Sequence, residues 1–397
     1  MKRKEAVNGP ALRPPKVTAR EVPHAVIESN YTCNRRCVLC YNQSREIVKP
    51  LEQIRSEVDQ ALKKRNLETI SILGGEPTLH PDLPAIVRYV KSQHVFCQVL
   101  TNGIVLFRDE RDGLLNRLAE AGIDRIVLHV DCGQGIDEEE MDFMCATLFR
   151  KFEERKIFFA LSSTLYRENC EGIPPLMRRY ASFRYFDGIL ATLARPNDEM
   201  IGPVPPEFGR PEMAEVDASI RAGLGVWPSS YIPSSLDDDE IRWLMYLYYI
   251  NARTGVTVPL SPRLVRLMRR AYRFAEGRNM FAATTRISRV TSVFLVSAFL
   301  ECLFSPSRVV HFFRCIRGSG SPGAIRFHSI VLQAVPSFNT SQECVEICYH
   351  CPDATIRNGR LAPVCLADSM SLPRGAGGDG EPESALASAI YAHLEES

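Results

Sequence analysis

Cys33, Cys37 and Cys40 place three thiols within eight residues, in Tyr31-Thr32-Cys33-Asn34-Arg35-Arg36-Cys37-Val38-Leu39-Cys40-Tyr41, with no fourth cysteine nearby. Thiolates ligate iron–sulfur clusters, and a [4Fe–4S] cube held by only three of them leaves one iron open to another group. Structural zinc closes its shell with four ligands, usually as paired Cys/His clusters, and the nearest histidines are His24 and His80. The spacing favours iron–sulfur chemistry, with zinc as the alternative.

A second stretch, Ile70-Ser71-Ile72-Leu73-Gly74-Gly75-Glu76-Pro77-Thr78-Leu79-His80, is an apolar strand ending in paired glycines and a carboxylate. Gly74 and Gly75 carry no Cβ and let backbone come close to a ligand, and Glu76 offers an acceptor to an ammonium group. Alone, such a stretch reads as a strand-ending turn. Downstream of C-x3-C-x2-C it resembles the radical S-adenosylmethionine (SAM) superfamily. The resemblance implies that Cys33, Cys37 and Cys40 hold a [4Fe–4S] cluster and that Gly74, Gly75 and Glu76 meet SAM. It also implies a flavodoxin- or ferredoxin-type electron donor, reductive cleavage of SAM to methionine and a 5′-deoxyadenosyl radical, and hydrogen abstraction from an unactivated carbon. One position departs from the pattern: the residue before the third cysteine, usually aromatic, is Leu39, with Tyr41 one place later.

The 397 residues are 45% hydrophobic and 24% charged, which suits a globular chain of one large domain and a smaller one. A formal net charge of +1 gives no electrostatic call for nucleic acid. The chain contains thirteen cysteines, and its basic N-terminus lacks an apolar signal segment, so the expectation is a reducing cytoplasm with free thiols. The scattered Cys97, Cys132, Cys145, Cys170, Cys302 and Cys315 read as small buried or loop residues.

Short β-prone runs at 24–29, 69–73, 97–101, 125–130, 158–162 and 188–193 alternate with amphipathic stretches at 51–64, 83–92, 114–121, 138–156 and 174–181. A further helix is expected at 212–224. That alternation predicts parallel strands joined by crossover helices. Six such units agree with the α/β partial (β/α)6 TIM barrel that the resemblance implies, its chemistry at the strand C-terminal ends. There the resemblance adds Asn102, Asp131 and the Ser162–Thr164 hydroxyls to the SAM pocket, with Leu190 and Ala191 near the adenine. Cys132, Cys170, Tyr31 and Tyr166 are the candidates for quenching a product radical.

After a proline-rich connector, Ser235 and the acids behind it read as the start of a helix continuing through 243–250, too apolar all round for a surface helix. A basic helix at 263–274 sets Leu264, Met268, Ala271 and Ala275 on one face, with Arg266, Arg269, Arg270 and Arg273 elsewhere. The apolar run 290–300 is shorter than the ~20 residues of a bilayer span. This region reads as a mostly helical insertion with three open roles: a packed helix whose arginines face solvent, peripheral contact with a membrane, or reception of a lipid or other small apolar substrate.

Cys344, Cys348 and Cys351 repeat the x3, x2 spacing, and Cys365 follows an Asn358-Gly359 hairpin signal. Folding at that turn brings Cys351 and Cys365 together, so four thiols can converge. Zinc competes here, with His350 as a substitute ligand. The segment resembles the Cys-bearing hairpin of SPASM and Twitch extensions, which implies an auxiliary [4Fe–4S] cluster. The expected organisation is therefore a disordered basic N-terminus at 1–22, a radical SAM core at 23–225, a helical module at 226–335, a Cys-rich auxiliary region at 336–368 and a disordered tail at 369–397. The expected function is a radical SAM enzyme acting on a lipid or other small apolar substrate. A peptide maturase of SPASM or Twitch type and a non-catalytic cluster- and SAM-binding protein are the alternatives.

Overall fold

The computed structural model describes Leu12 and residues 18–37, 40, 42, 46–130, 134–194, 209–233, 241–281, 291–317, 324–334, 337–339, 344–346 and 351–366, with backbone alone at 232–233, 291–295, 337–339 and 344–346. Asp131, Cys132, Leu39, Tyr41, Cys348, His350, the Cys344 side chain, the expected helix start at 235–240 and the tail lie outside the described residues.

Six parallel strands form where the alternation predicts them: β1 (His24–Asn30), β2 (Thr69–Gly74), β3 (Phe96–Thr101), β4 (Arg125–His129), β5 (Phe158–Leu165) and β6 (Phe186–Leu193). Between and after them run α1 (Leu51–Lys64), α2 (Leu83–Ser92), α3 (Ile104–Arg108), α4 (Gly113–Glu120), α5 (Glu138–Glu154), α6 (Ile173–Tyr180) and α7 (Met213–Leu224). Each longer helix turns an apolar stripe to the sheet, as α5 does with Met141, Met144, Cys145, Leu148, Phe149 and Phe152. Burial behind that stripe pushes the Cys145 thiol up to about 12, so this cysteine packs as a small hydrophobe.

The sheet continues past β6. β10 (Ile325–Gln333) pairs parallel to β6, and β8 (Ile241–Asn251) pairs antiparallel to β10. β7 (Ser230–Pro233) and β9 (Thr257–Pro259) both pair with β8. The sheet is open, with β1 and β7 at its ends. The helix expected at 243–250 is thus a strand, and the reason is burial on both faces. Leu244, Tyr246, Tyr248 and Ile250 join the main core, where the Tyr246 hydroxyl donates to Asp217 Oδ1 of α7 at 2.6 Å. On the other face Trp243 and Met245 line the sheet interior, while Leu247 and Tyr249 pack under helices. Aromatic and aliphatic residues without a polar side suit a strand covered twice.

Those helices are α8 (Pro262–Glu276), α9 (Thr291–Phe304) and α10 (Pro306–Arg317). Beyond α8 the chain crosses to the strand N-terminal ends. Arg278 donates to the Leu67 carbonyl at 2.8 Å, the Phe281 amide donates to Glu68 Oε2 at 3.0 Å, and the Phe281 ring stacks on His24 at 4.3 Å.

β11 (Ser337–Asn339) pairs with β12 (Cys344–Glu346), and β13 (Ala354–Arg357) with β14 (Arg360–Pro363). The second hairpin turns at Asn358 and Gly359, with φ of 47° and 77°, the positive values a type I′ turn needs at both central positions. It packs on the free edge strand β1. There Arg357 pairs with the fully buried Glu28, His24 Nε2 meets Asp353 Oδ1 at 3.4 Å, and Arg65 donates to the Pro352 carbonyl at 3.4 Å.

Candidate active site

The cysteine loop leaves β1 and returns to it. The Tyr31 amide donates to the Ile47 carbonyl at 2.7 Å, the Lys49 amide to the Ser29 carbonyl at 3.1 Å, and Asn42 Nδ2 to the Tyr31 carbonyl at 2.8 Å. The loop therefore hangs from two clamped ends above the C-terminal edge of the sheet. Gly74 and Gly75 bind it to β2: the Gly75 amide donates to the Asn30 carbonyl at 2.7 Å and the Glu76 amide to the Thr32 carbonyl at 2.8 Å. A Cβ on Gly74 would stand 2.1 Å from the Asn30 oxygen, and one on Gly75 would stand 2.3 Å from the Thr32 oxygen. In this structure the glycines admit the backbone of the cysteine loop itself, a use the sequence reading did not foresee.

Glu76 is buried, and its carboxylate is surrounded by donors. Oε1 accepts from the Thr78 amide at 3.0 Å, the Thr78 hydroxyl at 2.5 Å and the Thr101 hydroxyl at 2.6 Å, while Oε2 accepts from the Asn102 amide at 2.8 Å. Burial is the largest influence and holds its pKa above the usual carboxylate range, with the Thr101, Thr78 and Asn102 donors pulling the other way. Asn102 Nδ2 then donates to Asn34 Oδ1 at 2.7 Å, inside the cysteine loop. A polar chain thus runs from Glu76 at the end of β2, through Asn102 after β3, to the residue beside Cys33. Thr78 and Asn34 were not singled out in the sequence. A hydroxyl or amide beside a strand end carries no motif until folding sets it against Glu76.

Cys33, Cys37 and Cys40 are half-buried, and all three line one cavity of about 260 Å³ with Gly74, Gly75, Glu76 and Asn102. The Arg35 amide donates to Cys33 Sγ at 3.4 Å. Among the described residues no three His, Cys, Asp or Glu side chains are drawn together as a metal ion would hold them, so the thiols share a wall and do not form a preformed cage. The donor set still fits a cluster bound by three thiolates: three soft ligands on one short loop, with a backbone amide turned to a sulfur.

Opposite them, the inward positions of the strands recur every second residue, as the pleat requires. His129, Ser162, Thr164, Leu190, Thr192 and Gln333 line the cavity. Ser162 Oγ lies 3.5 Å from His129 Nδ1, and the Thr192 hydroxyl donates to Gln333 Oε1 at 3.1 Å. Tyr166 lines the cavity too, whereas Ala191 is buried elsewhere. Of the quenching candidates, Cys170 donates to the Arg167 carbonyl at 3.3 Å and lies off the cavity lining. The Tyr31 ring is covered by Lys49 and Arg357 at 5.8 and 5.3 Å and is also off the lining.

Cys351 and Cys365, at the base of the β13–β14 hairpin, line this same cavity. Two cysteines of the second group thus share one space with the first loop, and Asp353 and Val364 line it as well. Burial pulls the Arg65 guanidinium down to about 10, partly offset by Cys351 and Asp353.

Residues 27–145, from β1 into α5, match the radical SAM superfamily. The chain is 31% identical over 140 residues to the GTP 3′,8-cyclase of Chlorobaculum tepidum, covering 34% of this chain and 39% of that protein. It is 31% identical over 121 residues to the 7,8-dihydro-6-hydroxymethylpterin dimethyltransferase of Methanocaldococcus jannaschii, covering 29% of this chain and 23% of that protein. The matches thus span less than half the length of these curated relatives. Among solved structures, Streptococcus suis SuiB bound to S-adenosylmethionine overlays with a TM-score of 0.42 at 16% identity, over 50% of this chain and 46% of that one. With the thiol loop, the Gly-Gly-Glu turn and the strand ends gathered on one cavity, residues 27–145 are a radical SAM domain.

Proposed function

We propose that this protein is a radical SAM enzyme that abstracts hydrogen from a small molecule seated between the Cys33–Cys40 loop and the β13–β14 hairpin. The observation that carries the reading is the single cavity shared by Cys33, Cys37, Cys40, the Gly-Gly-Glu turn and the C-terminal ends of the strands. A bound [4Fe–4S] cluster would supply the electron that cleaves SAM and so releases the radical that does the abstraction. The chain's part is placement. The loop offers three thiolates, the Glu76–Asn102–Asn34 chain fixes that loop against β2 and β3, and Thr164, Thr192, Gln333 and Tyr166 offer hydrogen bonds to a bound molecule.

That lining bears on the substrate. The lipid expectation rested on the apolar stretch 240–315, but none of its described residues lines this cavity, and the apolarity of β8 is accounted for by burial on both faces of the sheet. Hydroxyl, amide and imidazole groups among leucines suit a small molecule with polar groups better than a hydrocarbon chain. The names of the relatives, a GTP cyclase and a pterin dimethyltransferase, agree with a polar ring compound. A peptide substrate is the second reading, favoured by Cys351 and Cys365 on the same cavity, where an auxiliary [4Fe–4S] cluster, or zinc, would complete its ligands from Cys344 and Cys348. A flavodoxin- or ferredoxin-type protein would deliver the electron.

The test is anaerobic reconstitution with iron and sulfide, followed by SAM and dithionite. Formation of 5′-deoxyadenosine is the expected result, and its absence in protein that has taken up iron and sulfide counts against the proposal.

A further inference from the structure

α9 wears its polar and apolar sides the wrong way round for a helix bedded on a core. Ser297 and Glu301, one turn apart, are buried. The Tyr249 hydroxyl donates to Ser297 Oγ at 3.1 Å, and the Ser261 amide donates to Glu301 Oε1 at 2.7 Å. These two bonds fix the rotation of the helix. Val296, Phe299 and Leu303, spaced for one stripe, point outward and are 57%, 66% and 66% exposed.

The neighbours extend that surface. α10 packs against α9 and exposes Val310 and Phe313 while burying Phe312 and Cys315. α8 also packs against α9; it buries Leu264 and Val265 but exposes Leu267 and, at 94%, Phe274. A lone exposed leucine is ordinary, but a run of aromatic and aliphatic side chains along three adjacent helices marks a contact surface.

Charge identifies what it touches. In α8 and α10, Arg263, Arg270, Arg273, Arg314 and Arg317 are exposed and Arg266 and Arg308 half-buried, and Arg273 also pairs with Glu21. Glu276 is the one exposed acid of the three helices among their described residues. Arg269, expected from sequence to share this role, is instead drawn inward to Met245 Sδ at 3.2 Å. No helix among the described residues is long and apolar enough to cross a membrane. We propose that α8, α9 and α10 form a peripheral anchor on an anionic lipid bilayer, with Phe299, Leu303 and Phe313 at the acyl boundary and the arginines at the phosphates. This surface is separate from the SAM cavity and goes beyond the proposed activity.

The test is co-sedimentation of the full-length reconstituted protein with phosphatidylcholine vesicles, with and without phosphatidylglycerol. Binding is expected only with phosphatidylglycerol, and it should weaken as salt rises. Arg314→Gln with Arg317→Gln should weaken it by about thirtyfold, since each arginine near such a surface contributes about fivefold. Phe299→Ser with Phe313→Ser should release the protein, with circular dichroism, iron content and SAM cleavage unchanged. Absence of binding at low salt, or equal binding to neutral vesicles, overturns the proposal. So does a dimer in the parent, seen by analytical ultracentrifugation without vesicle binding, that the two serine substitutions dissolve; the surface would then belong to a second copy of the chain.

Discussion

Gly74→Ala puts a methyl group where the Asn30 carbonyl oxygen already stands, 2.1 Å away. The obstructing atom is backbone, so no rotamer change relieves the contact. Gly74 also has φ +142°, a conformation L side chains rarely adopt, at a cost of about 1–3 kcal/mol. Moving β1 aside would stretch the Gly75-to-Asn30 and Glu76-to-Thr32 backbone bonds, now 2.7 and 2.8 Å, at roughly 0.5–1.5 kcal/mol each. The sum is about 2–6 kcal/mol, a large part of the ~5–15 kcal/mol that holds a typical domain together. Gly135→Ala is the control: it too has positive φ, +65°, but nothing lies within 4 Å of its added Cβ, so only strain of about 1–2 kcal/mol is expected. Urea unfolding measures both, and iron uptake reports whether the cysteine loop still hangs correctly. If Gly74→Ala unfolds at the parent's urea midpoint and takes up as much iron, the close approach of β2 to the cysteine loop is not what these glycines serve.

Removing the guanidinium that pairs with a fully buried carboxylate is the second perturbation: Arg357→Met deletes the ion pair to Glu28 but leaves the Lys49 charge acting on it, so the cost should be at most about 3–5 kcal/mol. It should also loosen the β13–β14 hairpin from β1, so that metal bound at the proposed auxiliary site through Cys351 and Cys365 is lost before iron held by the first loop; equal loss of both would contradict the docking. The third concerns pH. Because burial raises the Glu76 pKa, the folded chain keeps this proton after the unfolded chain has released it. The associated stability is complete below about pH 4 and declines as pH rises through the folded value. Parent stability should therefore fall relative to Glu76→Gln from about pH 4 upward, and a flat difference between the two would refute the assignment.

The six parallel strands were legible because each apolar run is bounded by turn residues and followed by an amphipathic helix; 51–64 and 83–92 came out at those same bounds. The hairpin turn was legible from Asn358-Gly359, which few other backbones accommodate. β8 was misread because a strand covered on both faces has no alternation to betray it, and apolarity alone does not separate it from a buried helix. The thiols and the Gly-Gly-Glu turn are local in sequence and were visible as motifs. Their connection through Asn102 to Asn34 and the pairing of Arg357 with Glu28 join residues far apart in the chain, and such contacts leave no periodic trace. For the same reason the outward apolar stripe of α9 could be assigned only once Ser297 and Glu301 were seen to face inward.

The most direct test of the account is to replace Cys33, Cys37 and Cys40 together with alanine and to measure iron, sulfide and 5′-deoxyadenosine in one anaerobic preparation. The account predicts loss of about one [4Fe–4S] equivalent and of all SAM cleavage, with the fold retained because the three side chains are only half-buried. A triple variant that still forms 5′-deoxyadenosine from SAM and dithionite would contradict it.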